Sequence, residues 1–214
     1  MQAPEHTGES ARVVLLHGIW MRSPVMWALG RRLSAAGFKT RYLDYASVFG
    51  TPSQAIARLR QLLCEDSATT HLVGHSLGGL LALAACANPA QLPAGRIVCL
   101  GSPLRGSVGA AAAAARLSAG RLLGGFRELL LHGVPLPADR EVGVIAGRRP
   151  RGVGALFAQL PTPHDGTVAV RETLVDGLHD HCVVDASHSG LLLDRVVARA
   201  VTQFLRDGRF SAAA

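Results

Sequence analysis

The most informative part of the chain reads His71-Leu72-Val73-Gly74-His75-Ser76-Leu77-Gly78-Gly79-Leu80. It joins a short apolar run to a helix-forming run through the pattern G-x-S-x-G. A serine can reach a substrate from the end of a buried strand only where the chain reverses sharply, in a strained backbone conformation. Because Gly74 and Gly78 lack side chains, the strand and the following helix can approach each other closely at that turn. The pattern therefore predicts that Ser76 is a nucleophile at a strand–helix turn.

The residues around this turn, and the rest of the chain, predict an α/β fold. Leu80 to Ala87 are strong helix formers, and Asn88-Pro89 would end that helix. Apolar runs of strand length alternate with longer helical patterns, which is typical of strand–helix units in a parallel sheet. We predict six strands, at Val13–Leu16, Thr40–Asp44, His71–Gly74, Ile97–Leu100, Val142–Ala146 and His181–Val184. We predict helices at Pro24–Ala36, Ser53–Cys64, Gly78–Ala87, Ala110–Leu131 and Leu191–Leu205. The expected architecture is a mostly parallel sheet of about six strands with helices on both faces.

The length of 214 residues and the hydrophobic fraction of 49% fit one domain with a buried core. We expect a polar N-terminal tail at 1–10, one domain at 11–208 and a C-terminal tail at 209–214. The segment at about 104–136 has two interpretations. It is either an ordinary crossover helix with an irregular start or a flap over an apolar acyl site.

Composition also excludes some classes of protein. The longest apolar run, Leu77 to Ala87, is shorter than the roughly 18 residues of a membrane span. Residues 1–10 do not resemble a secretory signal, so we expect a cytoplasmic protein, with a processed secreted form as the alternative. The net charge of +7 comes almost entirely from scattered arginines. No nucleic-acid-binding motif accompanies them, and weak attraction to an anionic membrane surface stays open. The oligomeric state is not predicted.

A serine hydroxyl needs a base to take its proton and an acid to orient that base. His188 is the candidate base, because it lies in Asp185-Ala186-Ser187-His188-Ser189-Gly190, between the last predicted strand and the last predicted helix. Asp165, in Pro161-Thr162-Pro163-His164-Asp165-Gly166-Thr167-Val168, is the candidate acid. The chain order serine, acid, histidine agrees with this assignment. Asp165 could instead serve only its tight turn, and Asp185 is the main rival acid.

The tetrahedral intermediate of such a reaction needs two backbone N–H donors for its oxyanion. One should come from Leu77, the residue after the nucleophile. The other should follow an early strand, and His17-Gly18-Ile19-Trp20 offers Ile19. We expect His17 to hydrogen-bond neighbouring loop atoms, and Trp20 either to line the entrance or simply to pack.

These pieces, taken together and in order, resemble the α/β-hydrolase superfamily and, within it, small bacterial lipases and esterases. The resembling segments are His17-Gly18, Gly74-His75-Ser76-Leu77-Gly78-Gly79, Gly101-Ser102-Pro103-Leu104-Arg105-Gly106-Ser107, His164-Asp165-Gly166-Thr167-Val168 and Ser187-His188-Ser189-Gly190-Leu191. The resemblance implies a catalytic triad of Ser76, Asp165 and His188, with no metal and no organic cofactor. The chain begins almost at the oxyanion strand, so we expect a minimal six-stranded core and no large cap domain.

The function expected from this resemblance is hydrolysis of a small-molecule or lipid carboxylic ester through an acyl-enzyme on Ser76. Three related reactions keep the same triad and stay open: acyl transfer, thioester hydrolysis and lactone hydrolysis. A further alternative is a non-catalytic protein of this fold that binds a lipid or a partner. The acyl chain length and the physiological substrate are not predicted.

Overall fold

The structure is a computed structural model that describes residues 11–65, 68–88, 92–116, 121–152 and 159–210. The expected N-terminal tail at 1–10 lies outside the described residues, as do residues 211–214 of the expected C-terminal tail. Phe210, near the start of that C-terminal tail, is buried, and its ring lies 4.8 Å from the ring of Phe204. Its backbone N–H donates to Asp180 Oδ2 at 2.6 Å, so the packed fold extends into the expected tail.

Six parallel strands form one sheet in the described residues. The strands are β1 (Arg12–Leu16), β2 (Lys39–Leu43), β3 (Thr70–His75), β4 (Ile97–Leu100), β5 (Val142–Gly147) and β6 (Asp180–Val184). Their order across the sheet is β2-β1-β3-β4-β5-β6, and every neighbouring pair is parallel. The predicted fold class is therefore confirmed, and each strand lies within two residues of its predicted bounds.

Helices cover both faces of the sheet. They are α1 (Trp27–Ala35), α2 (Pro52–Leu63), α3 (Leu77–Cys86), α4 (Val108–Ala114), α5 (Arg127–His132) and α6 (Arg195–Asp207). Successive strand side chains point to opposite faces, so Val13 and Leu15 pack with α1 and α6, whereas Val14 and Leu16 pack with α2 and α3. No described helix is both long and apolar enough to cross a bilayer.

The strand order places the first and third strands side by side, with β1 next to the edge strand β2. From β1 the chain runs outward to β2, then returns past β1 to β3 and continues to the opposite edge. Loops that follow β1 and β3 therefore leave the carboxyl edge in opposite directions and open a crevice between them, which is where parallel α/β sheets bind ligands. Ser76 follows β3, and Ile19 belongs to the loop after β1.

The predicted single helix at Ala110–Leu131 is wrong. The segment forms α4, a 3-10 helix at Arg121–Phe126 and α5, and residues 117–120 lie outside the described residues. Gly124 breaks the helical path with φ +55°, and a Cβ at that position would overlap the carbonyl oxygen of Val48. That the segment at 104–136 acts as a flap stays a prediction. Within the described residues no part of the chain forms a large cap domain.

Candidate active site

Ser76 lies at the turn between β3 and α3 in a strained conformation. Its φ of +53° and ψ of −118° are rare for a residue with a side chain. Its N–H donates to Leu100 O at 2.8 Å, which fixes the turn to the neighbouring strand. A Cβ on Gly74 would overlap the backbone of Gly78, and one on Gly78 would overlap the carbonyl oxygen of Leu16. Both glycines of the motif are therefore required by close backbone contacts.

The structure brings His188 and Asp165 together. His188 Nδ1 lies 2.7 Å from Asp165 Oδ2, and both side chains are buried. The other carboxylate oxygen accepts the N–H groups of Thr167 at 2.9 Å and Val168 at 2.8 Å. A backbone bond from His188 N to Asp165 O at 2.9 Å joins the two loops a second time. Four hydrogen bonds thus hold the carboxylate and the imidazole in one orientation.

These contacts keep the Asp165 carboxyl group ionised. Burial raises its pKa, but the charge and hydrogen bond of His188, with the two backbone N–H donors, lower it further, so the net pKa is below the ordinary value. An ionised carboxylate can only accept a hydrogen bond, so we infer that the His188 proton is on Nδ1. The other ring nitrogen, Nε2, is then free to accept a proton from a hydroxyl.

Near the carboxyl edge of the sheet, the acidic side chain and histidines other than Asp165 and His188 have different partners. Asp185, the rival acid, is exposed and forms an ion pair with Arg149 at 2.7 Å. His181 Nε2 is 2.9 Å from Thr173 Oγ1, so this ring has a partner outside the Asp165–His188 pair. His164 Nδ1 accepts the N–H of Gly166 at 3.0 Å. Among the described residues, no three His, Cys, Asp or Glu side chains are grouped as metal ligands would be.

Two cavities meet at Ser76. The first, of about 220 Å³, is the histidine-side cavity, and its lining includes Ile19, Met21, Ser76, Thr167, His188 and Ser189. The second, of about 60 Å³, is the apolar cavity, and its lining includes Ile19, Ser76, Pro103, Ala110, Leu123 and Leu130. Ser76 and Ile19 belong to both cavities, whereas His188 lines only the first. The serine therefore lies at a junction between a wider cavity that His188 lines and a narrower cavity that it does not line.

The loop after β1 approaches the serine closely. A Cβ on Gly18 would lie 3.3 Å from Ser76 Cβ, and Ile19 lines both cavities. Leu77 is the first residue of α3, so its N–H has no acceptor within the helix. Among the described residues, neither the Ile19 nor the Leu77 N–H has a backbone acceptor. Both predicted oxyanion donors therefore belong to segments next to the serine, and their role as donors stays a prediction.

His17 and Trp20 fix this loop. His17 Nδ1 is 2.9 Å from Gly18 O, and its Nε2 accepts the Tyr45 N–H at 3.3 Å. A neutral ring with its proton on Nδ1 can form both hydrogen bonds. Burial lowers the His17 pKa, which agrees with a neutral ring. Trp20 lines both cavities and donates its indole N–H to Leu122 O at 2.8 Å. Of the two roles considered for Trp20, the structure shows the lining role, and the residue is 45% exposed.

His75 contacts the His188 loop, and sequence reasoning missed this role. The ring centroids of His75 and His188 are 4.5 Å apart, and His75 Nε2 donates to His188 O at 3.0 Å. His75 is fully buried, and burial, with the charge of His188, lowers its pKa to about 3. The available signal was its position beside Ser76, because the last strand residue before the turn must face the crevice or the core.

Gly101 and Glu172 were also missed. Gly101 has φ +56°, and a Cβ there would lie 3.0 Å from Asp165 Oδ2 and 3.1 Å from His188 Nδ1. Glu172 is buried, and its carboxylate accepts the N–H of Val108 at 2.7 Å and that of Ala169 at 2.8 Å. It thereby ties the region after Asp165 to the start of α4. Gly101 belongs to one of the segments that resemble the family, but that segment does not indicate its contact with Asp165 and His188, and nothing in the local sequence distinguishes Glu172 from a surface glutamate.

The sequence profile of the Alpha/beta hydrolase family matches residues 13–211. The chain belongs to this family. A search of the curated proteins found no match. Among solved structures, this α/β hydrolase is similar to the Bacillus licheniformis lipase BlEst2 at 16% identity. The propeptide form superposes with a TM-score of 0.78 over 98% of this chain and 54% of that chain. The mature form gives 0.71 over 95% and 94%.

A second similar structure is the metagenomic carboxyl esterase MGS0156, with 16% identity and a TM-score of 0.63. The alignment covers 84% of this chain and 64% of the esterase. The α/β hydrolase described here thus spans about half of the lipase propeptide form and about two thirds of the esterase. At these identities the similarity establishes the shared fold.

We predict that His75 makes the stability of the protein sensitive to acid. The unfolded histidine has a pKa of about 6.5, whereas the folded one has a pKa of about 3. Between these values the unfolded state binds a proton that the folded state does not, so stability falls as the pH falls, by up to about 1.4 kcal/mol per pH unit. His75→Gln keeps an N–H donor toward His188 O but does not titrate.

Urea unfolding between pH 7 and pH 4 measures this effect. The free energy of unfolding of His75→Gln should decline less steeply than that of the parent protein. Equal slopes for the two proteins would contradict a buried, neutral His75.

Proposed function

We propose that this protein is a serine hydrolase that cleaves carboxylic esters, with Ser76, Asp165 and His188 as its catalytic triad. The observation that carries the proposal is the buried Asp165–His188 pair, 2.7 Å between Oδ2 and Nδ1, beside a cavity that His188 shares with Ser76. A structural histidine would not need an ionised, buried carboxylate at Nδ1 and a strained serine at the same cavity.

The reaction begins when Ser76 Oγ attacks the carbonyl carbon of the ester and His188 Nε2 accepts the serine proton. The carbonyl oxygen becomes an oxyanion, which accepts hydrogen bonds from the N–H groups of Ile19 and Leu77. Asp165 keeps the other ring nitrogen protonated and stabilises the imidazolium that forms. The carbon–oxygen bond to the alcohol then breaks, and His188 gives its proton to the leaving oxygen. An acyl-enzyme on Ser76 remains.

Water completes the cycle. His188 takes a proton from a water molecule, whose oxygen attacks the acyl carbon and again forms an oxyanion at Ile19 and Leu77. The bond between the acyl carbon and Ser76 Oγ breaks, and His188 returns the proton to the serine. The products are a carboxylic acid and an alcohol, and no other reactant is consumed.

The substrate class is supported by the cavities and by the relatives. The apolar cavity contains no charged side chain in its lining, which suits an acyl chain better than a charged group. Solved structures that share this fold are described as a lipase and a carboxyl esterase. A small-molecule ester is therefore the proposed substrate of this chain as well.

The direct test is hydrolysis of p-nitrophenyl butyrate by the parent protein and by Ser76→Ala. Removal of the nucleophile should lower kcat by about 10³-fold or more, because the histidine then has no hydroxyl to activate. Ser34→Ala, which removes a surface hydroxyl on α1, is the matched control and should keep the parent rate.

A fluorophosphonate probe should label the parent protein at Ser76 and leave Ser76→Ala unlabelled. Equal rates for the parent and Ser76→Ala, or an unlabelled parent, would reject the proposal.

We also predict that Gly101→Ala lowers kcat although it removes no reacting group. The added Cβ would meet both Asp165 Oδ2 and His188 Nδ1, and misplacing a catalytic group by about 1 Å can cost about 10²-fold in rate. Gly37→Ala is the matched control. Gly37 also has a positive φ, +98°, but a Cβ there would meet nothing within 4 Å. Both variants should lose stability because of the positive φ, and Gly101→Ala should lose more because its Cβ also meets Leu191 Cδ1 at 2.9 Å. Only Gly101→Ala should lose kcat, with KM little changed. Equal kcat values would contradict the assigned role of the pair.

A further inference from the structure

The two cavities at Ser76 differ in size and in access to His188. We infer that the apolar cavity holds the acyl group of the substrate, that the histidine-side cavity holds the alcohol, and that the enzyme selects short acyl chains with larger alcohols. This inference rests on the proposed esterase function and names the substrate class of the same site.

The position of the base determines which half of the ester enters which cavity. The leaving oxygen must receive its proton from His188, so the alcohol has to lie on the same side of Ser76 as the imidazole. His188 lines the histidine-side cavity and not the apolar one. The oxyanion lies between the N–H groups of Ile19 and Leu77, and the alcohol lies in the histidine-side cavity. The acyl chain therefore occupies the apolar cavity.

The lining of each cavity agrees with this assignment. The apolar cavity is lined by small or branched side chains from α4, α5 and the 3-10 helix before α5, among them Ala110, Ala113, Leu123 and Leu130. All four are buried, so a hydrocarbon chain placed among them would lose its contact with water. The histidine-side cavity adds the hydroxyl group of Ser189, which could hydrogen-bond a polar atom of an alcohol, whereas Thr167 lines both cavities.

The volumes set the expected sizes of the two groups. A water-sized group needs about 10 to 15 Å³ of such space, so a cavity of about 60 Å³ takes roughly four to six of them. That corresponds to an acyl group of about two to four carbons. By the same measure the 220 Å³ of the histidine-side cavity takes roughly fifteen to twenty, enough for an alcohol that carries a ring.

Hydrogen bonds fix the walls of the apolar cavity and oppose its expansion. The Ser107 side chain accepts the Ala110 N–H at 3.1 Å at the start of α4, and the buried Glu172 accepts the Val108 N–H. Ser107 N donates to Leu130 O at 2.9 Å, which joins α4 to α5. A longer acyl chain would have to break this packing or remain outside the cavity.

The experiment compares kcat/KM for p-nitrophenyl acetate, butyrate, octanoate and decanoate. The parent enzyme should be most active on acetate or butyrate and about tenfold or more slower on octanoate, because the extra methylene groups have no space. A kcat/KM that rises from acetate to decanoate would overturn the inference.

Two variants change the apolar cavity in opposite directions. Leu130→Ala enlarges it and should raise the octanoate-to-butyrate ratio of kcat/KM by about tenfold. Ala113→Leu fills it and should lower the rate on butyrate more than the rate on acetate. Leu62→Ala, which removes a leucine side chain from α2 away from both cavities, is the matched control and should keep the parent ratios. An unchanged ratio in both cavity variants would also overturn the inference.

A third arm tests the alcohol side. Met21 lines the histidine-side cavity and not the apolar one. Met21→Ala should therefore change the ratio of kcat/KM between 1-naphthyl butyrate and methyl butyrate while the acyl-length profile stays as in the parent. A change in the acyl profile alone would contradict the assignment of the two cavities.

These outcomes separate the two proposals. An active, Ser76-labelled enzyme that prefers long acyl chains would overturn only the cavity assignment. A protein that hydrolyses none of the esters and is not labelled at Ser76 would overturn both.

Discussion

The hydrogen bond between Asp165 and His188 is the interaction on which the proposed activity depends. A buried carboxylate is costly unless it is paired and hydrogen-bonded, and Asp165 meets that condition with the imidazole and the Thr167 and Val168 N–H groups. The same contacts that make the charge tolerable also fix the histidine tautomer. The contacts that stabilise the buried carboxylate are therefore the same contacts that the proposed chemistry requires of these two loops.

The surrounding backbone leaves room for this pair by means of glycine. Gly101 has a positive φ, and a Cβ there would lie about 3 Å from both side chains, whereas Gly74 and Gly78 allow β3, α3 and the end of β1 to meet around Ser76. Ser76 itself has a strained φ, and the surrounding packing must hold it there. The sheet order supports the arrangement, because the loops after the adjacent strands β1 and β3 diverge at the crevice.

Much of this arrangement could be predicted from the sequence, for a physical reason. Buried parallel strands are short apolar runs, so the six strands were predictable within two residues, and the G-x-S-x-G turn has a recognisable local requirement. Contacts between distant residues were not predictable. His75 contacts His188, and Glu172 joins Ala169 to α4, across separations that no local pattern records. The break at Gly124 depends on the close approach of Val48 O, so the alanine- and leucine-rich segment was wrongly predicted as one helix.

The tautomer of His188 is the most direct test of the central claim, that a buried carboxylate orients this imidazole so that Nε2 can accept the serine proton. Nitrogen-15 NMR of histidine-labelled protein at a pH where the ring is neutral distinguishes the two tautomers. We expect a proton on Nδ1 of His188 in the parent protein and a loss of that preference in Asp165→Asn. A proton on Nε2 in the parent protein would rule out this role of Asp165, because that nitrogen could not then act as the base.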